Sequence, residues 1–256
     1  MKIKNLLFVL VLVAFCNSYV EAQIYRNKPE NFFGIQVKPL IPFGLVGDKA
    51  FDLKEEGFET TISPLAGYSY GGVVRIGLTD LLAIETGINY TRRNYRASYA
   101  VPDSNVYAKD ELGYVSFDIP VNFLVYVKLG SQFFMNVGIG TSGNFNASNI
   151  RSLINPEGKH LFIFEGRRLK YFDFHANADV GFEYRTPNSG TIYLGISGRI
   201  PFSPTLAIAT EYRHGTNKTI SYGTVEGSTF SLSLKYFFHN QKKKKGTQFQ
   251  GGPIEQ

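Results

Sequence analysis

Residues 113–127 read GYVSFDIPVNFLVYV. Val115, Phe117, Ile119, Val121, Phe123, Val125 and Val127 are apolar, and Ser116, Asp118, Pro120 and Asn122 fall between them. Alternation with period 2 over this length specifies a β-strand with one apolar and one polar face. Seven other segments repeat the pattern, at about 32–42, 65–78, 82–98, 132–145, 170–185, 191–203 and 228–238, and no stretch after residue 30 has a convincing helical period. The segment at 170–185 is the cleanest: Phe172, Phe174, Ala176, Ala178, Val180, Phe182 and Tyr184 alternate with Asp173, His175, Asn177, Asp179, Glu183 and Arg185.

The connections between segments alternate in length. Short ones fall at 79–80, 128–131 and 186–190, and longer ones at 43–64, 99–112, 146–169 and 204–224. Strict long–short alternation predicts an eight-stranded antiparallel up-and-down barrel with both chain ends on the short-turn side. Pro120 lacks an N–H for the ladder, so a local bulge or bend is expected there.

Two opposite objects share this pattern. A lipocalin-like barrel turns its apolar face inward around a ligand, and a transmembrane barrel turns it outward to lipid. Size decides between them. An eight-stranded barrel has an interior that side chains alone fill. The many Phe, Tyr, Ile, Leu and Val side chains of the apolar faces would overfill it, whereas the Gly, Ser and Asn of the opposite faces fit. Segments of this length also exceed the 9–11 residues that cross a bilayer at a tilt. Tyr90, Tyr95, Tyr184, Tyr236 and Phe238 near strand ends match interfacial aromatic girdles. The transmembrane reading is preferred.

The N-terminal MKIKNLLFVLVLVAFCNSYVEAQ supports an exported chain. Lys2 and Lys4 precede an apolar run from Leu6 to Phe15, and Val20-Glu21-Ala22 suits a signal-peptidase site. Residues 1–22 are thus expected to be a signal peptide, 23–239 the barrel domain, and 240–256 a disordered basic tail on the periplasmic side. A lipoprotein signal at Cys16 is disfavoured because Phe15 stands where a small residue is needed. Cys16 is the only cysteine, which leaves no thiol chemistry to the processed chain. The net charge of +6 is concentrated in the tail, where Lys242, Lys243, Lys244 and Lys245 face only Glu255. No basic face for nucleic acid is implied.

With the apolar faces outward, the lumen receives Lys38, Arg75, Arg93, Arg185, Arg199 and Lys235 against Glu85, Asp118, Asp173, Asp179 and Glu183, with His175 among them. Charges confined this way persist when paired and hydrogen-bonded. The expectation is a lumen plugged by an ion-pair network, which disfavours a diffusion porin.

The hairpin FDIPVNFLVYVKLGSQFFMNVGIG (117–140) and the strand FDFHANADVGFEY (172–184) resemble the PorT-like outer-membrane β-barrel family of Bacteroidota. The likeness covers about 31–239. It implies an outer-membrane location, contact with lipid, and for some members a part in type IX secretion or gliding. The chain departs from the plainest pattern by continuing past Phe238.

No enzyme chemistry is expected, and no cofactor or metal. Gly138, Gly140 and Gly143 match G-x-G-x-x-G, but a dinucleotide site needs a helix to start there; on a strand, Gly138 and Gly140 are small lumen residues. His160, His175, His214 and His239 fall on different elements without metal-ligand spacing, and are read as one lumen and three loop or end positions. Leu161, Phe162, Ile163 and Phe164 in the longest connection extend the barrel wall on the simpler reading, and offer a docking surface on the other. Lys242 to Lys245 either meet anionic headgroups or tether a periplasmic partner. The leading expectation is a structural or accessory component of an outer-membrane complex. The alternatives are a small pore and a soluble exported ligand-binding barrel.

Overall fold

The computed structural model describes residues 31–42, 50–55, 57–187 and 189–239. The expected signal peptide and the basic tail with Lys242, Lys243, Lys244 and Lys245 lie outside the described residues. Thirteen strands are present among the described residues: β1 (Phe32–Ile41), β2 (Phe51–Glu55), β3 (Phe58–Gly77), β4 (Leu82–Val101), β5 (Val106–Lys128), β6 (Phe133–Asn146), β7 (Ile150–Ile154), β8 (His160–Arg168), β9 (Phe172–Thr186), β10 (Gly190–Pro201), β11 (Leu206–His214), β12 (Asn217–Val225) and β13 (Thr229–Phe237). All pairings are antiparallel, and β1 pairs with both β13 and β3. The ladder therefore runs in a cycle through β1, β3, β4, β5, β6, β9, β10 and β13.

These eight strands are the alternating segments of the sequence, and the remaining five correct the expectation. The long connections are themselves strands. β2 pairs with the far end of β3, and β7, β8, β11 and β12 form a second sheet in the order β12-β11-β8-β7. β3, β4 and β5 run beyond the barrel to meet this second sheet, with β12 against β2 at one seam and β5 against β7 at the other. At the second seam, Ala147 N–H donates to Val115 O (3.2 Å), and Val115 N–H donates to Ser148 Oγ (3.0 Å). The result is a cap that continues the barrel wall past the long-connection end.

Barrel and cap have opposite cores. In the barrel, Phe33, Ile35, Val37, Ile88, Ile139, Leu194 and Leu234 are exposed on the outer face. Inside the cap, Phe58, Ile62, Tyr99, Leu112, Phe162, Phe164, Leu206, Ile208 and Tyr212 are buried together. Phe162 stacks with Phe58, Tyr99 and Tyr212 at ring separations of 6.1, 5.0 and 5.2 Å. Each such ring removed from water contributes about 1.5–3 kcal/mol. Phe162 and Phe164 therefore cannot form the docking surface that the sequence offered, because they are the centre of the chain's own core. Tyr95 is corrected likewise: it is buried in the cap rather than placed in an outer girdle.

A bulge marks the junction. Between β3 and β4 the register shifts by one residue from Leu65↔Asn94 to Tyr68↔Arg92, so that Ala66 and Gly67 together oppose Arg93. The extra residue inverts which parity of β3 faces inward: Phe58, Thr60 and Ile62 on the cap side, and Ser69, Val73 and Arg75 on the barrel side. Asn94 Nδ2 ties the bulge by donating to Ala66 O at 2.8 Å. A Cβ on Gly67 would lie 2.4 Å from Arg92 O, so no larger residue fits this close approach. At Pro120 the expected bulge is absent. Thr86↔Val121 and Asn89↔Asp118 share one register, and only the two pairs between them drop from the ladder. Those are the pairs that need the missing N–H of Pro120, so the defect is one unmade bond rather than a bend.

Candidate functional site

Among the described residues, many ionisable groups converge on the inner face of the barrel. Its short-turn end holds the tightest group. Arg75 donates from Nε and Nη2 to Glu85 Oε2 at 3.1 and 2.7 Å, and from Nη1 to Glu183. Lys235 donates to the other oxygen of Glu85, Arg185 Nε donates to Glu183 Oε1 at 2.6 Å, and Asn136 adds a long bond to Glu183 at 3.5 Å. Two carboxylates thus meet three cations brought from β3, β9 and β13. The guanidinium of Arg75 lies 4.1 Å from the ring centroid of Phe237, and the Lys235 ammonium lies 4.6 Å from that of Tyr193. Two inward apolar groups pack around these charges: Val73, Tyr193 and Phe237 with Phe32, and Ala83, Leu124 and Tyr126 with Phe134.

A second group sits toward the cap. Arg199 pairs with Asp118, to which the Thr91 hydroxyl also donates. Asn146 Nδ2 donates to Asp173 Oδ2 at 3.1 Å, and His175 Nε2 lies 3.5 Å from Asp173 Oδ1. Arg93 reaches over the Tyr114 ring at 5.9 Å, at the lower edge of the cap core. Between the two groups Asp179 accepts from Asn122 Nδ2 at 3.0 Å and from Ser197, while Gln36 Nε2 donates to Asn89 at 2.6 Å. Among these groups lies a cavity of about 50 Å³ lined by Lys38, Asp118, Asp179 and Arg199 among others. A water needs about 10–15 Å³ by the same measure, so the cavity suits a few waters and no larger solute.

The structure therefore brings Arg75, Glu85, Glu183, Arg185 and Lys235 into one cluster and Asp118 with Arg199 into another. Asp173 and His175 form a third contact. Lys38 faces the cavity, with no ion pair within 4 Å among the described residues. Asp179 is held by hydroxyl and amide donors rather than by a cation. No group of three or more His, Cys, Asp or Glu placed to hold a metal occurs among the described residues. Gly138 and Gly140 lie on β6, where no helix begins. Added Cβ atoms there would meet Leu124 at 2.6 Å and Val121 O at 2.1 Å, so these glycines answer to packing, and the dinucleotide motif is coincidental.

The sequence missed the cap core. Its signal was present in Phe58, Thr60 and Ile62, but their phase is opposite to that of Ser69, Val73 and Arg75, and alternation was therefore seen to start only at residue 65. A test that allowed a one-residue slip at Ala66-Gly67 would have joined the two runs.

A sequence model described as the outer membrane protein β-barrel domain matches residues 49–207. Among solved structures, the chain resembles the outer membrane protein OprG from Pseudomonas aeruginosa, with 13% identity over 83% of this chain and 97% of that one, at a TM-score of 0.50. An outer membrane channel from Pseudomonas putida F1 aligns over 86% of this chain and 99% of that one at 11% identity, with a TM-score of 0.25. The likeness to OprG is one of fold. Comparison with curated proteins returns no match.

Proposed function

Because the chain belongs to the outer membrane protein β-barrel domain family, and so resides in the outer membrane in contact with its lipid, we propose that it acts there as a sealed, rigid mount. On this reading the eight-strand cycle is a closed transmembrane barrel, and the cap is a solvent-side platform. The termini lie on the periplasmic side, and the whole serves as a structural or accessory component of an outer-membrane complex. The family resemblance of the 117–140 hairpin makes a type IX secretion or gliding assembly the first to test. No catalytic step is assigned to it.

One observation supports the reading: inward aromatic groups, two ion-pair groups and the packed cap fill the interior, and the cavity among the ion pairs measures about 50 Å³. Reconstitution into planar bilayers tests it. Silence is expected, and steady single-channel conductance would replace the mount by a small pore. A detergent pull-down of the full-length chain beside one lacking residues 240–256 tests the partner. Loss of a co-purifying protein with the tail assigns the contact to the tail. Retention of every partner moves it to the outer face of the cap, since Phe162 and Phe164 are internal.

A further inference from the structure

At the far tip of the cap the sheet register sets two histidines directly opposite each other, His160 on β8 and His214 on β11. Their rings stack with centroids 4.5 Å apart and planes 15° from parallel. We infer that this cross-strand pair is a binding site for a divalent transition-metal ion of the zinc, nickel or copper class.

Three features point this way. First, each imidazole already has its Nδ1 engaged. His214 Nδ1 lies 3.2 Å from the carbonyl oxygen of Lys159, which only accepts, so the proton sits on Nδ1 and the Nε2 lone pair is left for a ligand. His160 Nδ1 lies 2.7 Å from the Tyr212 hydroxyl, and that hydroxyl also hydrogen-bonds Ser104 from the β4–β5 connection. An oxygen partner at Nδ1 is the usual device that orients a metal-binding imidazole. Second, the spacing is within reach of a metal. Two nitrogens at about 2.05 Å from a tetrahedral ion are about 3.3 Å apart; the ring centroids are 4.5 Å apart and the planes near-parallel, so both rings must turn about their side-chain torsions to aim the two Nε2 atoms at one ion. Third, the site is open on one side and built on the other: His214 is exposed, while His160 is 8% exposed and backed by the buried Tyr212. Arg213, the neighbouring cation, is drawn away by Glu211. Imidazole selects transition ions over calcium or magnesium, and two protein ligands leave the remaining positions to water, which makes the site reversible rather than structural.

No sequence signal joins the pair, because 160 and 214 are far apart and share no motif. Only the β8–β11 register joins them.

The test uses untagged, signal-processed protein in detergent, titrated with Ni²⁺ and separately Zn²⁺ by calorimetry in a non-chelating buffer. One equivalent is expected to bind saturably. His214→Ala, at an exposed position, and His160→Gln should each abolish that equivalent, whereas His239→Ala should keep it. Tyr212→Phe should weaken it about tenfold, as loss of an orienting partner does. Absence of saturable binding by the native chain overturns the site. So does an unchanged equivalent in His214→Ala, and the rings are then a stacked pair only.

Discussion

One face of β4 turns inward along its whole length, yet its chemistry reverses half-way. From the short-turn end the inward residues are Ala83, Glu85, Asn89, Thr91 and Arg93, and then Tyr95, Ala97, Tyr99 and Val101. The outward residues reverse at the same level, from Ile84, Ile88 and Tyr90 to Arg92, Asn94, Arg96 and Ser98. On β5 the inner face switches between Ser116 and Tyr114, and the outer face, apolar through Val115, turns to Gly113, Glu111 and Lys109. Barrel and cap are thus one continuous wall in two solvents. Where lipid bathes the outside, apolar groups gain nothing by facing in, and polar groups must find partners in the lumen. Where water bathes it, the hydrophobic effect returns the apolar groups to the inside. Phe117 to Val127 on β5 spans ten residue steps. At about 3.4 Å each and a tilt of about 40°, that gives about 26 Å, against about 25 Å for the apolar band of such barrels. Aromatic rings mark both rims: Tyr68, Tyr70, Tyr90 and Phe117 at the cap side, and Phe33, Phe238, Phe133 and Phe182 at the turn side.

The largest effects should come from attacking each core in its own currency. Glu85→Ala leaves Lys235 without its carboxylate in the lumen, and is expected to cost about 3–5 kcal/mol in urea unfolding from lipid vesicles. The double change Glu85→Gln with Lys235→Met should recover much of it. Phe162→Ala, at the centre of the cap, should cost a similar 3–5 kcal/mol, but locally. Limited proteolysis should then cut within 150–168 and 206–225 while the barrel strands stay protected. If Phe162→Ala instead unfolds the barrel with the cap, the two regions share one cooperative core and the division fails.

A charge placed on the outer face reads the boundary directly. Ile88→Arg points into the lipid zone and should cost about 2–4 kcal/mol. Ser98→Arg is on the same strand and face ten residues further on, and should stay within about 0.5 kcal/mol. Equal costs at the two positions would remove the bilayer boundary from the β4 outer face.

Eight barrel strands and their alternation were legible because lipid on one side and a crowded lumen on the other force a strict period of two. The two-faced logic of the cap was not, for three physical reasons. A single extra residue at Ala66-Gly67 inverts the phase of β3. Tyr95 and Tyr99 satisfy a girdle and a packed core equally well by residue type. β7, β8, β11 and β12 are short, and their partners are fixed only in three dimensions. The lumen residues could be named because their parity is set by the barrel. Their division into two clusters could not, because strand stagger decides which of Glu85, Glu183, Asp118 and Asp173 reaches which cation.

The smallest expected effect belongs to the watered side. On the outer side of the cap, Glu211 is contacted by Arg213 and by Lys218 Nζ at 3.3 Å. Partial burial pushes its carboxyl up, but the hydrogen bonds from Arg213 and Lys218 outweigh this and hold it below its ordinary value of 4.5. A carboxylate held low in the folded state stabilises the fold above its unfolded pKa, and loses that contribution as pH falls through the lower, folded value. Glu211→Gln should therefore destabilise the cap slightly at about pH 7, and by progressively less as the pH falls below about 4. Added salt should shrink the neutral-pH difference, because the pair is near the surface. The Glu85 cluster lies in the lumen, out of reach of bulk ions, and its contribution should be nearly salt-independent over the same range. Salt sensitivity at Glu85 matching that at Glu211 would mean that the lumen admits electrolyte, and the seal between barrel and solvent would have to be given up.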